Sequence, residues 1–91
     1  MTDTPAPPAS RTVLVGHEDG LHLRPITELV KAAATHGGNV RVRKGETVAD
    51  GKAMMQLLTL AAARGDEVTI EADGAGGDDC VEKLAAIVRG N

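Results

Sequence analysis

Two side chains with chemistry of their own, His22 and Arg24, stand two positions apart in the hexapeptide Gly20-Leu21-His22-Leu23-Arg24-Pro25, just where the sequence predicts a helix to begin. A helix start exposes backbone N–H groups that have no intrahelical acceptor, and the aligned peptide dipoles leave about half a positive charge there. Phosphate is the natural guest of such a place. Pro25 suits the first turn, because proline gives up only an N–H that would have had no partner and its fixed φ continues into the helix. Gly20 lets the chain turn sharply before the histidine.

A neutral imidazole can attack phosphorus through one ring nitrogen and hold the phosphoryl group as a phosphoramidate until a second acceptor takes it. The positive helix end and the Arg24 guanidinium both disfavour imidazolium, which keeps that lone pair available. Once the group is attached it carries roughly two negative charges, and the same cationic surroundings then stabilise it. One positive site can serve both halves of a transfer cycle.

A histidine ahead of a helix is by itself an ordinary solvated cap residue. The whole hexapeptide, followed by Ile26, Leu29, Val30 and Ala33 at helical spacing, resembles the active-site signature of the histidine-containing phosphocarriers of the bacterial phosphotransferase system, the HPr family. The resemblance extends from about Arg11 to Arg89. It implies that His22 carries the phosphoryl group on Nδ1, that Arg24 neutralises it, and that the chain is a relay component rather than an enzyme. It also implies partners: enzyme I as donor, charged by phosphoenolpyruvate, and enzyme IIA domains of sugar permeases or regulatory relatives as acceptors. By the same resemblance Leu23, Ile26, Thr27, Met54 and Met55 form an apolar docking patch beside His22. Methionine suits such a surface because its flexible thioether repacks against differently shaped partners.

Two positions depart from the family pattern. Many members, above all in Gram-positive bacteria, carry a regulatory serine after the lysine that is Lys52 here, but this chain has Ala53 and so no hydroxyl for an HPr kinase. Leu23 stands where members have a small residue or threonine, a change that bears on partner choice and not on the reaction at His22.

Ninety-one residues allow one domain with a modest core and no large enclosed active site. There is no Phe, Tyr or Trp, so the core is built from aliphatic residues, methionine and alanine, and no aromatic platform exists for nucleic-acid bases. A net charge of −3 likewise disfavours binding a polyanion. Protein partners are expected instead. One cysteine, Cys80, forms no internal disulfide and reads as a small packing residue, and no apolar run matches a membrane span or signal core. The expectation is a cytoplasmic monomer without cofactor. His17, Glu18 and Asp19 near His22 have metal-ligand chemistry but no recognised ligand spacing, so no metal is expected.

Residues 1 to 10, rich in proline and poor in apolar bulk, read as a disordered tail, and residues 11 to 91 as the domain. Strands are expected over Thr12–Gly16, Asn39–Lys44, Thr47–Ala49 and Glu67–Ala72, the middle two joined as a hairpin through Gly45. Arg41, Arg43 and Lys44 read as a solvated sheet face. Helices are expected over Leu23–Thr35, over Lys52–Leu60 with a stripe of Met54, Leu57, Leu58 and Ala61, and from Gly77 or Asp78 to Gly90. Met55 falls off its stripe into solvent. His36, in the last turn of the first helix, reads as a surface residue, and the glycine-rich loop Asp73–Gly77, which lacks the lysine and serine of a P-loop, reads as turn geometry. One-sided strands and one-sided helices satisfy each other only as an α+β two-layer open-faced sandwich, a four-stranded antiparallel sheet with three helices on one face. Two other functions fit the pattern less well. One is a non-catalytic interaction module of the same fold, against which the intact His22 and Arg24 speak, whereas a regulatory, nitrogen-type relative would keep both residues and is not separated from a sugar-uptake carrier by the sequence. The other is a small enzyme using His22 as general base, which lacks a second catalytic group.

Overall fold

In a computed structural model, described over residues 7–90, the chain forms strands β1 (Ala9–Leu14), β2 (Val40–Lys44), β3 (Thr47–Asp50) and β4 (Glu67–Ala72) and helices α1 (Leu23–Ala34), α2 (Met54–Thr59) and α3 (Gly77–Arg89). The strands make one sheet in the order β1-β4-β2-β3 with every pairing antiparallel. The expected open-faced sandwich is therefore the fold, with β4 at its centre although it is the last strand in sequence.

Alternation along the strands decides which face meets the helices. Val68, Ile70 and Ala72 of β4 are buried beside Val40 and Val42 of β2 and Val13 of β1, and register sets Val13 opposite Val68 and Val42 opposite Ile70. Ile26, Leu29 and Ala33 of α1 and Val81, Leu84, Ala85 and Val88 of α3 close the core from above. Each fully buried aliphatic side chain in this layer is worth about 1.5–3 kcal/mol over leaving it exposed. Cys80 is part of the same layer, and burial pushes its thiol up, away from the reactive thiolate.

The charged face of the sheet is more than solvated, which corrects one expectation. Arg41 donates from Nε to Glu71 at 3.1 Å and makes a two-pronged contact with Asp73 at 2.9 and 3.0 Å, while Arg43 reaches Glu71 at 3.4 Å. Pairing of β2 with β4 sets Arg41 directly opposite Glu71, a relation invisible until the strand order is known. Lys44 turns from the sheet to donate to the carbonyls of Leu60 and Ala61, both at 3.2 Å, and pairs with Asp66 at 3.3 Å.

Other boundaries move for equally physical reasons. Strand β1 begins at Ala9, inside the expected tail, because Ala9 and Ser10 pair with Ala72 and Glu71; it ends at Leu14, short of Gly16. Of the rest of the expected tail, Pro7 and Pro8 are exposed and belong to no strand or helix, and residues 1–6 lie outside the described residues. Helix α2 is only six residues long, and the chain then turns through Ala61, which holds a left-handed φ of 49°. Its inner face is consequently Leu57 with Leu60, supported by the half-buried Met54, whereas Leu58 and Ala61 point outward against the expected stripe. Helix α3 starts after Gly76, itself left-handed at φ 82°, rather than being capped by Asp78 or Gly77. His36 is buried, not superficial, and its Nε2 lies 2.6 Å from the Asp73 carbonyl, a contact supplied by a distant loop. No helix among the described residues is long and apolar enough to cross a membrane.

Candidate functional site

The loop from Gly16 to Leu21 delivers His22 to the start of α1. The His17 carbonyl accepts the Gly20 N–H at 2.9 Å, closing a turn in which Gly20 takes φ 75°. The buried Leu21 then donates to the Ala62 carbonyl at 2.8 Å, tying the loop to the segment that follows α2. That segment is braced in turn by Lys44 and by Asp66, which accepts the Ala63 N–H at 2.8 Å; the bond from Ala63 and the Lys44 ammonium hold the Asp66 carboxyl below the usual carboxylate range. Glycine is required at position 20 twice over: the left-handed φ disfavours any side chain, and a Cβ would stand 2.5 Å from the Ala62 oxygen.

His22 is the N-cap of α1, extended at φ −93° and ψ −172°, and its side chain makes no capping hydrogen bond. Its N–H donates to the Gly20 carbonyl at 3.0 Å, and its carbonyl accepts the first intrahelical bond from Ile26 at 3.1 Å. Ahead of that bond stand Leu23, Arg24 and Pro25. Since proline has no N–H, the open end of the helix presents the amides of Leu23 and Arg24, with the exposed Arg24 side chain leaving the same turn. No acidic residue occupies the first turn, so nothing there competes with an incoming anion. Helix α3 is the contrast, with Asp78 and Asp79 in its first turn.

The two other histidines have their rings engaged. Nε2 of His17 lies 2.5 Å from the Ile87 carbonyl, and that of His36 is held by Asp73. Of the three, His22 alone combines an exposed ring with a helix start. A phosphoryl group on it would meet amides and a guanidinium in open solvent, which suits hand-over between proteins better than retention in a pocket.

Around this end, Leu23 is 58% and Met55 73% exposed, and α1 packs against α2. Thr27 and Met54 are half-buried, the former with its hydroxyl turned back to the Leu23 carbonyl at 2.8 Å. Ile26 is a correction. It is fully buried in the core, as its place on the helical stripe dictates, and has no surface to offer a partner. Leu58, missed in the sequence, is instead partly exposed on the outer side of α2. Ala53 is the N-cap of α2, offering only a methyl group where a regulatory serine would stand.

A family model described as the PTS HPr component phosphorylation site matches residues 9–89. The chain belongs to the HPr family. The match begins at the first residue of β1, so the folded unit and the family unit coincide. Among similar proteins, the phosphocarrier protein HPr of Haemophilus influenzae is 35% identical over 79 residues, covering 87% of this chain and 93% of that protein. The phosphocarrier protein HPr of Streptomyces coelicolor is 35% identical over 81 residues, covering 88% and 87%. A crystal structure of a phosphocarrier protein HPr from Bacillus anthracis superimposes with a TM-score of 0.84 at 27% identity, over 89% of this chain and 96% of that one. The chain is thus an HPr phosphocarrier of the phosphotransferase system, a relay component and not a catalyst in its own right.

Proposed function

We propose that His22 is the residue that carries the phosphoryl group, that Arg24 stabilises it, and that the group arrives from phosphorylated enzyme I and leaves to an enzyme IIA domain in the service of sugar uptake. The observation that carries this reading is the exposed, uncapped imidazole at a helix start free of acidic residues, with Arg24 in the same turn. In the forward step the Nδ1 lone pair of the neutral ring attacks phosphorus. The N–P bond forms as the bond from phosphorus to the donor breaks, and that electron pair leaves with the donor, while the ring proton stays on Nε2. The two negative charges then on the ring are met by the Leu23 and Arg24 amides and the guanidinium. An acceptor nucleophile reverses the step, taking the phosphoryl group and returning the electron pair to Nδ1.

Leu23, Thr27, Met54 and Met55 form the docking surface in this reading, with Leu58 added at its edge and Ile26 removed. One chain supplies the loop, the helix end and the apolar surface, so a monomer is sufficient. The cytoplasm, where phosphoenolpyruvate is available, is the matching compartment. Incubation with enzyme I and labelled phosphoenolpyruvate tests the assignment: His22→Ala is expected to take up no label while keeping its fold, and His17→Ala and His36→Ala to remain labelled. Label persisting on His22→Ala would place the carrier elsewhere.

A further inference from the structure

His17 lies five residues before His22 in the loop of the site, and its imidazole is half-buried against the far end of α3. Its Nε2 stands 2.5 Å from the Ile87 carbonyl, and the neighbouring Gly16 N–H donates to the Val88 carbonyl at 3.0 Å. Both acceptors belong to the last turn of α3, where the Ile87 carbonyl also accepts the Gly90 N–H at 3.1 Å. The loop lies so close to this turn that a Cβ on Gly16 would come 2.0 Å from the Arg89 oxygen. His17 also shapes the site through its backbone. Its carbonyl holds the Gly20 N–H, and the Gly20 carbonyl in turn holds the N–H of His22. Side chain and main chain of one residue therefore join the end of α3 to the start of α1.

We propose that His17 is a positioning residue for phosphoryl transfer, a clamp whose ring Nε2–H, bound to the Ile87 carbonyl, fixes the turn from which His22 projects. On the other flank, the Leu21 bond to Ala62 holds the loop to the segment after α2, so the turn is gripped between two neighbours and the clamp shares the α3 side with the Gly16 amide. Without it the Gly16 amide alone links loop and helix end, and His22 samples directions away from the line of attack. Transfer between oriented groups is sensitive to displacements of that size. The functional part of this inference rests on the assignment of His22 as carrier; the clamp itself does not.

Amide hydrogen exchange and phosphorylation kinetics on the full chain separate the two. In His17→Ala, exchange at Gly20 and His22 is expected to quicken about fivefold, the change that one net hydrogen bond corresponds to, and acceptance from enzyme I to slow by a similar factor without being lost. His17→Gln, whose amide nitrogen reaches nearly as far as Nε2, is expected to restore both. Should His17→Ala fail to fold, His17→Asn, too short to reach Ile87, carries the same expectation against His17→Gln. Exchange unchanged within twofold in the variant lacking the donor, or a glutamine variant no better than alanine or asparagine, would overturn the clamp. Exchange that responds while His22→Ala still takes up label would leave the clamp standing and refute the His22 assignment instead.

Discussion

Replacing Gly20 by alanine is the most demanding test of how the loop holds His22, because two separate costs fall on one methyl group. At φ 75° an L side chain is disfavoured by about 1–2 kcal/mol. Independently, the new Cβ would stand 2.5 Å from the Ala62 oxygen and 3.1 Å from the Ala63 Cα, both main-chain atoms that cannot swing aside. Relief requires the loops to part by roughly an ångström, at an overpacking cost of about 1–3 kcal/mol and at the expense of the Leu21–Ala62 hydrogen bond. Alanine returns about 0.4–1 kcal/mol by restricting the unfolded chain. The net loss is about 3 kcal/mol, which in a domain of this size lowers Tm by about 12–24 °C. Two further substitutions separate the costs. Gly65→Ala meets nothing within 4 Å but sits at φ 87°, so it should show the conformational cost alone, and Gly37→Ala, with open space and no left-handed φ, should be neutral or slightly stabilising. Thermal unfolding followed by circular dichroism ranks the three, and phosphoryl acceptance measured below each Tm should fall for Gly20→Ala only. A Gly20→Ala protein that melts with Gly65→Ala would refute the close approach of the two loops.

Arg24→Ala should slow acceptance by about tenfold to a hundredfold, the equivalent of one charge-assisted hydrogen bond formed fully at the transition state, and leave the thermal unfolding curve in place; a rate within twofold of the parent would reduce Arg24 to a surface cation. Met55→Asp should weaken docking by at least a few kcal/mol, because an unpaired carboxylate would be desolvated at the contact. With Met55 73% exposed, the isolated domain should melt as before, and unchanged transfer kinetics would remove this side chain from the interface. Arg41 holds the Asp73 and Glu71 carboxyls below the usual carboxylate range, chiefly through its hydrogen bonds to them. Carboxyls so lowered add stability above their unfolded pKa values and lose it as acid protonates them in the fold. Arg41→Gln should therefore lower Tm at neutral pH, with the difference from the parent shrinking once the pH falls below the carboxylate range; a gap of constant size from pH 7 to pH 2 would contradict the pairing.

What was legible in the chain was what local chemistry decides. The stripe on α1, the alternation of β4 and the inner face of α3 follow from apolar spacing alone, and the expected sandwich follows from them. The hexapeptide carried His22, Arg24 and Pro25 to the right places for the same reason: a helix start is a local object. Relations between distant segments were not legible. Nothing near His36 announces that the Asp73 carbonyl will receive its ring, nothing near Arg41 announces Glu71, and nothing near His17 points to Ile87. Helix α2 misled because a stripe drawn across nine residues was laid on a helix of six, and where the chain leaves it Leu60 turns inward while Ala61, at a left-handed φ, turns outward. Ile26 is instructive in the other direction. Its helical spacing marked it as core, and the docking role suggested by family resemblance gave way to that simpler rule.

Whether this chain relays a phosphoryl group on His22 is decided by locating the group. After incubation with phosphoenolpyruvate and enzyme I, peptides prepared under alkaline conditions that preserve phosphohistidine can be sequenced by mass spectrometry. One phosphoryl group per chain is expected, on the peptide spanning Gly20 to Pro25 and at its histidine, discharged when an enzyme IIA domain is added. A phosphoryl group found on His17, His36 or a hydroxyl residue, with His22 unmodified, would contradict it.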